Sequence, residues 1–188
     1  MRGPLPASTE LPSDLLPRLR LGDVAAFESL FRATHASLVA FATRYTGDEA
    51  RAAELVQDLF LDLWTRRGSL EVRGSLRGYL FGAVRNRALN VRRRDALEHD
   101  WAADEAHDAV RALHPAPPVA DAAYESAELA ERVRAAMDAL PARCALVMQL
   151  RWREGLGYAE IAQVMGISTK GVENQLARGL KALRAVLA

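Results

Sequence analysis

Residues 154–184 read EGLGYAEIAQVMGISTKGVENQLARGLKALR, which is two helical patterns separated by a glycine. Apolar residues recur at helical spacing over Tyr158–Met165, and Gly166 can adopt the left-handed conformation that ends a helix. Ser168 follows as a candidate N-cap, because its hydroxyl can accept a backbone N–H of the next helix. The stretch therefore predicts two helices joined by a tight turn.

The second of these helices has two chemically different faces. Its apolar face is formed by Val172, Leu176, Leu180, Leu183 and Leu187. Its polar face is formed by Thr169, Lys170, Glu173, Asn174, Arg178 and Lys181. This pattern is typical of a helix-turn-helix, whose second helix enters a DNA major groove. Lys170 and Arg178 are candidate phosphate contacts and Asn174 is a candidate base contact. A helical hairpin with a solvated polar face is the alternative.

The composition is that of an ordinary soluble globular protein of one domain or two small ones. The chain has 188 residues, of which 50% are hydrophobic and 26% are charged. Its formal net charge is only +1, so there is no overall basic signal. Acidic and basic residues are nevertheless segregated along the chain, and local patches matter more for binding than the sum.

Metal sites, cofactors and membrane insertion are not predicted. The single cysteine, Cys144, excludes an internal disulfide and a zinc site built from several cysteines. The four histidines are scattered and lack metal-ligand spacing. The N-terminus has no apolar core of signal-peptide length, and no run is apolar enough to span a bilayer. A cytoplasmic protein is therefore expected.

The N-terminal half begins with a predicted tail and two helices. Residues 1–17 contain four prolines and predict a flexible tail. A helix with Asp23 as its cap follows and is broken before Asp48, which caps the next helix. That second helix ends at Trp64 and carries apolar residues at 52, 55, 56, 59, 60 and 63, a strongly amphipathic pattern. Its other face is an acidic stripe formed by Glu54, Gln57, Asp58 and Asp62. Without further context, a plain solvated face is the favoured interpretation of this stripe.

A third helix, capped by Ser75, is rich in arginine and asparagine. Arg66, Arg67 and Arg73 precede it in a basic loop. Its polar positions include Arg85, Asn86, Asn90, Arg92, Arg93 and Arg94. Such a helix can bind a polyanion through bidentate arginine contacts. Cations also suit the negative end of a helix dipole, but the arginines here exceed what that explanation needs.

The rest of the chain divides into a linker and a second helical domain. Residues 96–125 carry a proline cluster and little periodicity, which predicts a linker. Another helix is predicted from Ser126, and Pro141 suits the first turn of the next. No strand pattern appears. The predicted fold is all-α, with two small helical domains, residues 18–95 and 126–188, on a flexible linker.

Three stretches resemble one protein family. AAELVQDLFLDLW (residues 52–64) resembles sigma-factor region 2.2, and SLRGYLFGAVRNRALNVRRR (residues 75–94) resembles regions 2.3–2.4. LPARCALVMQLRWREGLGYAEIAQVMGIS (residues 140–168) resembles region 4. In this order and spacing, the chain resembles an extracytoplasmic-function (group 4, sigma-70 family) RNA polymerase sigma factor, the type with only domains 2 and 4.

The resemblance implies functions for the polar surfaces. The acidic stripe of Glu54, Gln57, Asp58 and Asp62 would bind the β′ clamp helices of core RNA polymerase. The melted −10 element would be bound by Arg73, Arg85, Asn86, Asn90, Arg92, Arg93 and Arg94. The −35 duplex would be read by Ser168, Thr169, Lys170, Glu173, Asn174 and Arg178. The implied partners are core polymerase, including its β flap, promoter DNA and an anti-sigma factor that covers both domains.

The chain departs from the family pattern at several positions. Gly157 stands where Ser or Thr usually caps the first helix of region 4, and Gly171 stands where Thr is usual. Glu173 replaces a usual basic residue, and Glu repels phosphate, so the −35 sequence cannot be transferred from other members. Tyr79 replaces a Trp but keeps an aromatic ring.

Two other functions compete with the sigma factor. A helix-turn-helix activator of the response-regulator type would share the C-terminal module, but it would have a receiver or ligand domain in place of the acidic stripe and the basic helix. An enzyme would need more than the pair Asp58 and Asp62, since no nucleophile–base set, phosphate loop or metal spacing accompanies them. The sequence therefore predicts a non-enzymatic alternative sigma factor that directs transcription initiation.

Overall fold

The computed structural model describes residues 11–98, 132–137 and 139–187. Regular structure in these residues is entirely helical, which confirms the all-α prediction. The helices are α1 (Leu15–Arg20), α2 (Val24–Thr46), α3 (Glu49–Thr65), α4 (Leu76–Glu98), α5 (132–137), α6 (Ala142–Trp152), α7 (Tyr158–Met165) and α8 (Thr169–Leu187). A short 3-10 helix, Arg67–Ser69, lies between α3 and α4.

The predicted caps set the boundaries of α2 and α3. The Asp23 carboxylate accepts the amide of Ala26 at 3.1 Å and begins α2. Gly47 ends α2 in the left-handed region, with φ of 75°, which suits glycine because it has no Cβ. Asp48 then accepts the amide of Ala50 at 2.8 Å and begins α3. Each cap satisfies backbone groups that the helix itself leaves unpaired.

α2, α3 and α4 form a three-helix group around an apolar core. Phe41 of α2 and Phe81 of α4 are fully buried and meet edge to face, with ring centroids 5.1 Å apart. Leu80, Val84 and Ala88 of α4 are also fully buried. Burial of one such large side chain contributes about 1.5–3 kcal/mol, so this cluster holds α4 firmly against its neighbours.

The prediction of a flexible tail over residues 1–17 needs correction, because α1 begins inside it. Leu15 and Leu19 of α1 are 1% exposed and belong to the core. The guanidinium of Arg20 donates to the carbonyl of Leu70 at 2.7 Å and 3.1 Å, which fastens α1 to the loop before α4. The prolines suggest a flexible tail. A proline in the first turn of a helix loses no hydrogen bond, however, because the backbone N–H at that position has no partner within the helix.

The end of α4 also differs from the sequence prediction. The helix continues beyond Arg94 to Glu98, so the first residues of the linker predicted over 96–125 are helical. A bidentate ion pair explains the extension, since Arg51 of α3 donates to both carboxylate oxygens of Asp95 at 2.6 Å and 2.7 Å. Such paired contacts fix the last turns of α4 against α3. The remainder of the predicted linker lies outside the described residues.

The second helical group contains α5 to α8. Residues 132–137 are helical, as the pattern from Ser126 predicts, and the start of that helix lies outside the described residues. Pro141 directly precedes α6 and does not lie in its first turn, a difference of one residue. Cys144 of α6 is fully buried as a small apolar side chain, and its thiol donates to the carbonyl of Gln175 at 3.1 Å. Burial raises the pKa of this thiol.

The turn between α7 and α8 has the predicted geometry. Gly166 ends α7 with φ of 63°, and the Ser168 hydroxyl accepts the amide of Gly171 at 3.0 Å at the start of α8. Gly157, which has no side-chain acceptor, precedes α7, and the Glu160 carboxylate accepts its amide at 2.8 Å. The result is a helix-turn-helix in which Glu160 supplies one half of a capping box, while Gly157 has no side chain for the other half.

The two helical groups are in contact and share one continuous apolar core. α7 packs against α4, and the Tyr45 hydroxyl of α2 lies 3.9 Å from the Met165 sulfur of α7. The position of the helix-turn-helix is therefore set by the first helical group as well as by its own helices.

Candidate nucleic-acid interface

Most of the predicted acidic stripe is on the solvent side of α3. Glu54, Gln57 and Asp58 are exposed, while the apolar residues on the other side of the helix are buried. Leu61 lies one turn further along the same side and is 66% exposed. This surface combines acidic groups with an exposed large apolar side chain, a combination suited to a protein partner.

Asp62 has a different environment from the rest of the stripe. Its carboxylate forms an ion pair with Arg87 of α4. The hydrogen bond from Arg87, together with the charge of that guanidinium, lowers the pKa of Asp62. Asp62 therefore joins α3 to α4, and only part of its side chain remains available to a partner.

A groove between α3 and α4 brings two predicted sites together. It has a volume of about 380 Å³ and is lined by Glu54 and Asp58 from the acidic stripe and by Asn90 and Arg94 from the predicted −10 set. Arg87 lies on the same wall. Because opposite charges face each other across the groove, this side of α4 is less attractive to a polyanion than the sequence suggests.

The other predicted −10 residues are divided among different surroundings. Asn86 and Arg93, seven positions apart on one side of α4, are exposed, as is Arg73 in the loop before it. Arg85 instead faces the helix-turn-helix, where a Cβ placed on Gly166 would lie 3.2 Å from its guanidinium. Arg92 is half-buried. The predicted set is therefore not one continuous surface.

The predicted −35 residues do form one surface. Those on the polar face of α8 and its cap are all exposed, namely Ser168, Thr169, Lys170, Glu173, Asn174 and Arg178. The opposite face, with Val172 and Leu176, is buried against α6 and α7. The second helix of the helix-turn-helix is thus presented to solvent along its polar side, as duplex recognition requires.

One ion pair modifies this surface. Lys170 donates to the Glu173 carboxylate at 2.8 Å, and both side chains are largely exposed. The hydrogen bond and the charge of Glu173 raise the pKa of Lys170. Glu173 thereby neutralises the cation nearest the start of α8, where a phosphate would otherwise be attracted to both the lysine and the helix dipole.

Two functional candidates were not predicted, Glu154 and Glu160. Glu154 is 3% exposed and pairs with Arg77 of α4. Glu160 accepts the backbone amide of Ser75 at 3.0 Å. Burial by itself would raise the pKa of Glu160, but the hydrogen bonds from Ser75 and Gly157 outweigh it and hold this pKa below its ordinary value. Capping-box spacing could have predicted the Gly157 contact, but no local pattern indicates the contacts with α4.

Neither a metal-binding cluster nor a membrane-spanning helix occurs in the part of the chain that the structure describes. No group of three or more His, Cys, Asp or Glu residues there could hold a metal ion. In the same residues, each helix is too short or too polar to cross a membrane.

Family models match both helical groups. The model described as Sigma-70 region 2 matches residues 30–98, and the model described as Sigma-70, region 4 matches residues 130–183. The first match ends where α4 ends, and the second contains the helix-turn-helix.

Individual relatives span nearly the whole chain. The ECF RNA polymerase sigma factor SigK of Mycobacterium sp. (strain KMS) is 26% identical over 177 residues, covering 92% of this chain and 89% of the relative. The protein of the same name from Mycolicibacterium vanbaalenii is 26% identical over 187 residues, covering 97% and 92%.

Solved structures share the fold. The sigma factor RpoE of Bartonella quintana, in complex with the anti-sigma factor NepR, aligns with a TM-score of 0.57 at 23% identity and covers 86% of this chain and 96% of that one. CnrH, in complex with the cytosolic domain of CnrY, aligns with a TM-score of 0.52 at 24% identity and covers 92% and 94%.

Proposed function

We propose that this chain, which belongs to the extracytoplasmic-function group of the sigma-70 family, binds core RNA polymerase and reads promoters through two separate elements. The chain is an alternative sigma factor that directs transcription initiation, and the family is non-catalytic. In the proposed mechanism, α8 reads the −35 element as duplex and the exposed part of α4 captures the −10 element as a melted strand.

The observation that carries the proposal is the exposed polar face of α8 behind a well-formed helix-turn-helix turn. Asn174 lies on this face with both an amide donor and an acceptor, which suits adenine in the major groove. Arg178, one turn further along, is exposed and would contact phosphate. Glu173 can accept from the amino group of cytosine, which gives this chain a base preference different from that of a basic residue.

The −10 proposal rests on a smaller set of α4 residues. Asn86 and Arg93 share an exposed side of the helix, and Arg73 extends from the loop before it. An asparagine can hydrogen-bond an unstacked base, while the arginines hold the backbone of a single strand. Arg85 and Arg92 would join this surface when the elements around α4 move, whereas Asn90 and Arg94 are already exposed beside the groove between α3 and α4.

Core polymerase binding is assigned to the exposed side of α3. Glu54, Gln57 and Asp58 would set the orientation on the β′ clamp helices through charge complementarity, and Leu61 would supply apolar contact area. The second helical group would bind the β flap. Once one helical group has bound its promoter element, the linker would keep the other group near its own element at a high effective concentration.

An anti-sigma factor is a proposed further partner. Two of the solved structures that share the fold contain a second protein, and in one of them a sigma factor is bound to a protein named as an anti-sigma factor. Such a protein would compete with core polymerase for the exposed side of α3 or for the second helical group.

The test is transcription in vitro. The purified chain would be added to sigma-free core polymerase from the same organism, with genomic fragments as templates. Discrete new transcripts are expected, and mapping their starts would define both promoter elements. Duplex binding without transcripts would favour a helix-turn-helix activator instead and would overturn the proposal.

A further inference from the structure

A buried ion pair connects the two helical groups. The Arg77 guanidinium in the first turn of α4 donates to Oε2 of Glu154, between α6 and α7, at 2.7 Å. The two side chains are 11% and 2% exposed, so the pair is shielded from solvent. Among the residues that the structure describes, no group hydrogen-bonds to the other carboxylate oxygen, Oε1. Arg77 is therefore the cation that makes burial of Glu154 tolerable.

A second carboxylate links the beginnings of two helices. Oε1 of Glu160 accepts the Ser75 amide at the start of α4 at 3.0 Å, and Oε2 accepts the Gly157 amide at the start of α7 at 2.8 Å. Ser75 and Glu160 are 85 residues apart in the chain. One side chain thus caps a helix of its own group and a helix of the other group, which ties their orientations together.

The connection covers part of the proposed −10 surface. α7 packs on α4, and the Arg85 guanidinium lies over Gly166, in the turn of the helix-turn-helix. The Tyr45 hydroxyl of α2 also lies 3.9 Å from the Met165 sulfur of α7. In this arrangement Arg85 faces protein and is not available to a DNA strand.

The arrangement is also too compact to read a promoter. The names of the −35 and −10 elements place them more than two helical turns of DNA apart, and two turns of about 34–36 Å each span roughly 70 Å. Here the helix proposed for the −10 element and the first helix of the −35 reader are in direct contact. The two groups must separate before both elements can be bound at once.

We infer that the Arg77–Glu154 ion pair and the Glu160–Ser75 hydrogen bond form a latch that holds the free chain in a closed state, which covers part of the −10 surface and prevents both promoter elements from being bound at once. This inference rests on the proposed function. A buried pair suits this purpose because it is stable only when complete, and loss of one partner leaves an uncompensated buried charge. Core polymerase would release the latch by binding the two groups at separated positions.

The test measures the distance between the groups in the free, full-length chain. Spin labels would be attached to cysteines introduced by Ala36→Cys in α2 and Ala185→Cys in α8, both exposed positions. Cys144 is fully buried and will not compete for the label. A single narrow distance distribution is expected for the otherwise unchanged chain. A broad distribution in that protein would overturn the latch.

Arg77→Glu is the informative variant. It places a second carboxylate beside Glu154, so the ratio of closed to open chains should fall at least about 100-fold. The first helical group should stay folded, because a glutamate in the first turn of α4 suits the helix dipole. Circular dichroism checks this. Arg77→Lys keeps the positive charge and should remain largely closed.

A matched control separates the latch from general charge effects. Arg32→Glu reverses an arginine whose ion pair with Glu28 is exposed and lies within α2, so the distance should not change. Unchanged distances in Arg77→Glu would overturn the inference. The same proteins would be used in the transcription assay. Transcription with unchanged distances would refute the latch alone, while opened distances without transcription from any variant would refute the proposed function alone.

Discussion

The two helices proposed to contact promoter DNA differ in what surrounds them. α8 has one buried face and one exposed face, and its predicted DNA residues all lie on the exposed face. α4 packs against α2, α3 and α7, so its predicted residues meet solvent, the groove shared with α3 or the helix-turn-helix, depending on their position around the helix. A polar residue is therefore a good guide to a binding surface only on a helix with neighbours on one side.

The largest expected effect is a loss of core polymerase binding, caused by a change that lies outside both DNA surfaces. Asp58→Arg reverses a charge on the exposed side of α3 and should weaken core polymerase binding by more than about 100-fold, because the charge complementarity to the clamp becomes repulsion. The fold should be unchanged. A pull-down with core polymerase measures the effect.

Glu28→Arg is the control for Asp58→Arg. Glu28 is an exposed acid on α2 whose ion pair lies within its own helix, so its reversal should leave polymerase binding intact. Equal retention of polymerase by the two variants would contradict the assignment of the acidic stripe.

The next effect tests whether the two DNA surfaces act independently. Asn174→Ala removes the proposed base contact of α8 and should cost about 1–3 kcal/mol of −35 duplex affinity. Binding of the melted −10 strand should not change, since Asn174 is exposed on α8 and α4 packs against α7. Fluorescence anisotropy with both DNA probes measures this, and an equal loss on both would show that the surfaces are not separable.

The third effect concerns the buried face of α8. A Cβ at Gly179 would lie 2.8 Å from Cγ of Met148, so Gly179→Ala must displace this core side chain. Overpacking costs about 1–3 kcal/mol, and the better helix propensity of alanine returns about 1 kcal/mol. A net loss of up to about 2 kcal/mol in the free energy of unfolding is expected from urea denaturation.

Gly171→Ala is the matched change in the same helix. Its Cβ would lie at an ordinary contact distance of 3.4 Å from the Ser168 hydroxyl. Only the better helix propensity of alanine should therefore act, and the free energy of unfolding should rise by up to about 1 kcal/mol. Stabilisation by both substitutions would mean that α8 does not pack on α6 as closely as described.

The helices could be predicted from the sequence because their signals are local. The caps at Asp23 and Asp48 and the turn at Gly166 follow from short-range chemistry, and the structure confirms them. Helix α1 and the end of α4 could not be predicted, since each depends on a partner distant in sequence: Leu70 for Arg20, and Arg51 for Asp95.

The candidate site was predictable only in part, for the same reason. The polar face of α8 follows from its periodicity. The burial of Glu154 against Arg77, across 77 residues, and the position of Arg85 over Gly166 depend on the packing of the two helical groups. Long-range pairings of this kind leave no trace in the spacing of nearby residues.

The smallest expected effect refines the description of the −35 surface. Glu173→Gln removes the acid that pairs with Lys170 and frees this cation for phosphate. Duplex affinity should rise a few-fold at low salt, and the dependence of affinity on salt should steepen by up to about one phosphate contact. Anisotropy titrations at several salt concentrations measure both. An unchanged salt dependence would place Lys170 away from the DNA backbone.

The most direct test of the account compares both promoter elements with the free, full-length chain. The elements would be those mapped by transcription, the −35 element supplied as duplex and the −10 element as single strand. We expect the unchanged chain and Arg77→Glu to bind the duplex equally, because α8 is exposed in both. The single strand should bind Arg77→Glu at least about tenfold more tightly, because opening the latch uncovers α4. Equal binding of the single strand by the two proteins would contradict the claim that the free chain covers part of its −10 surface while presenting its −35 surface.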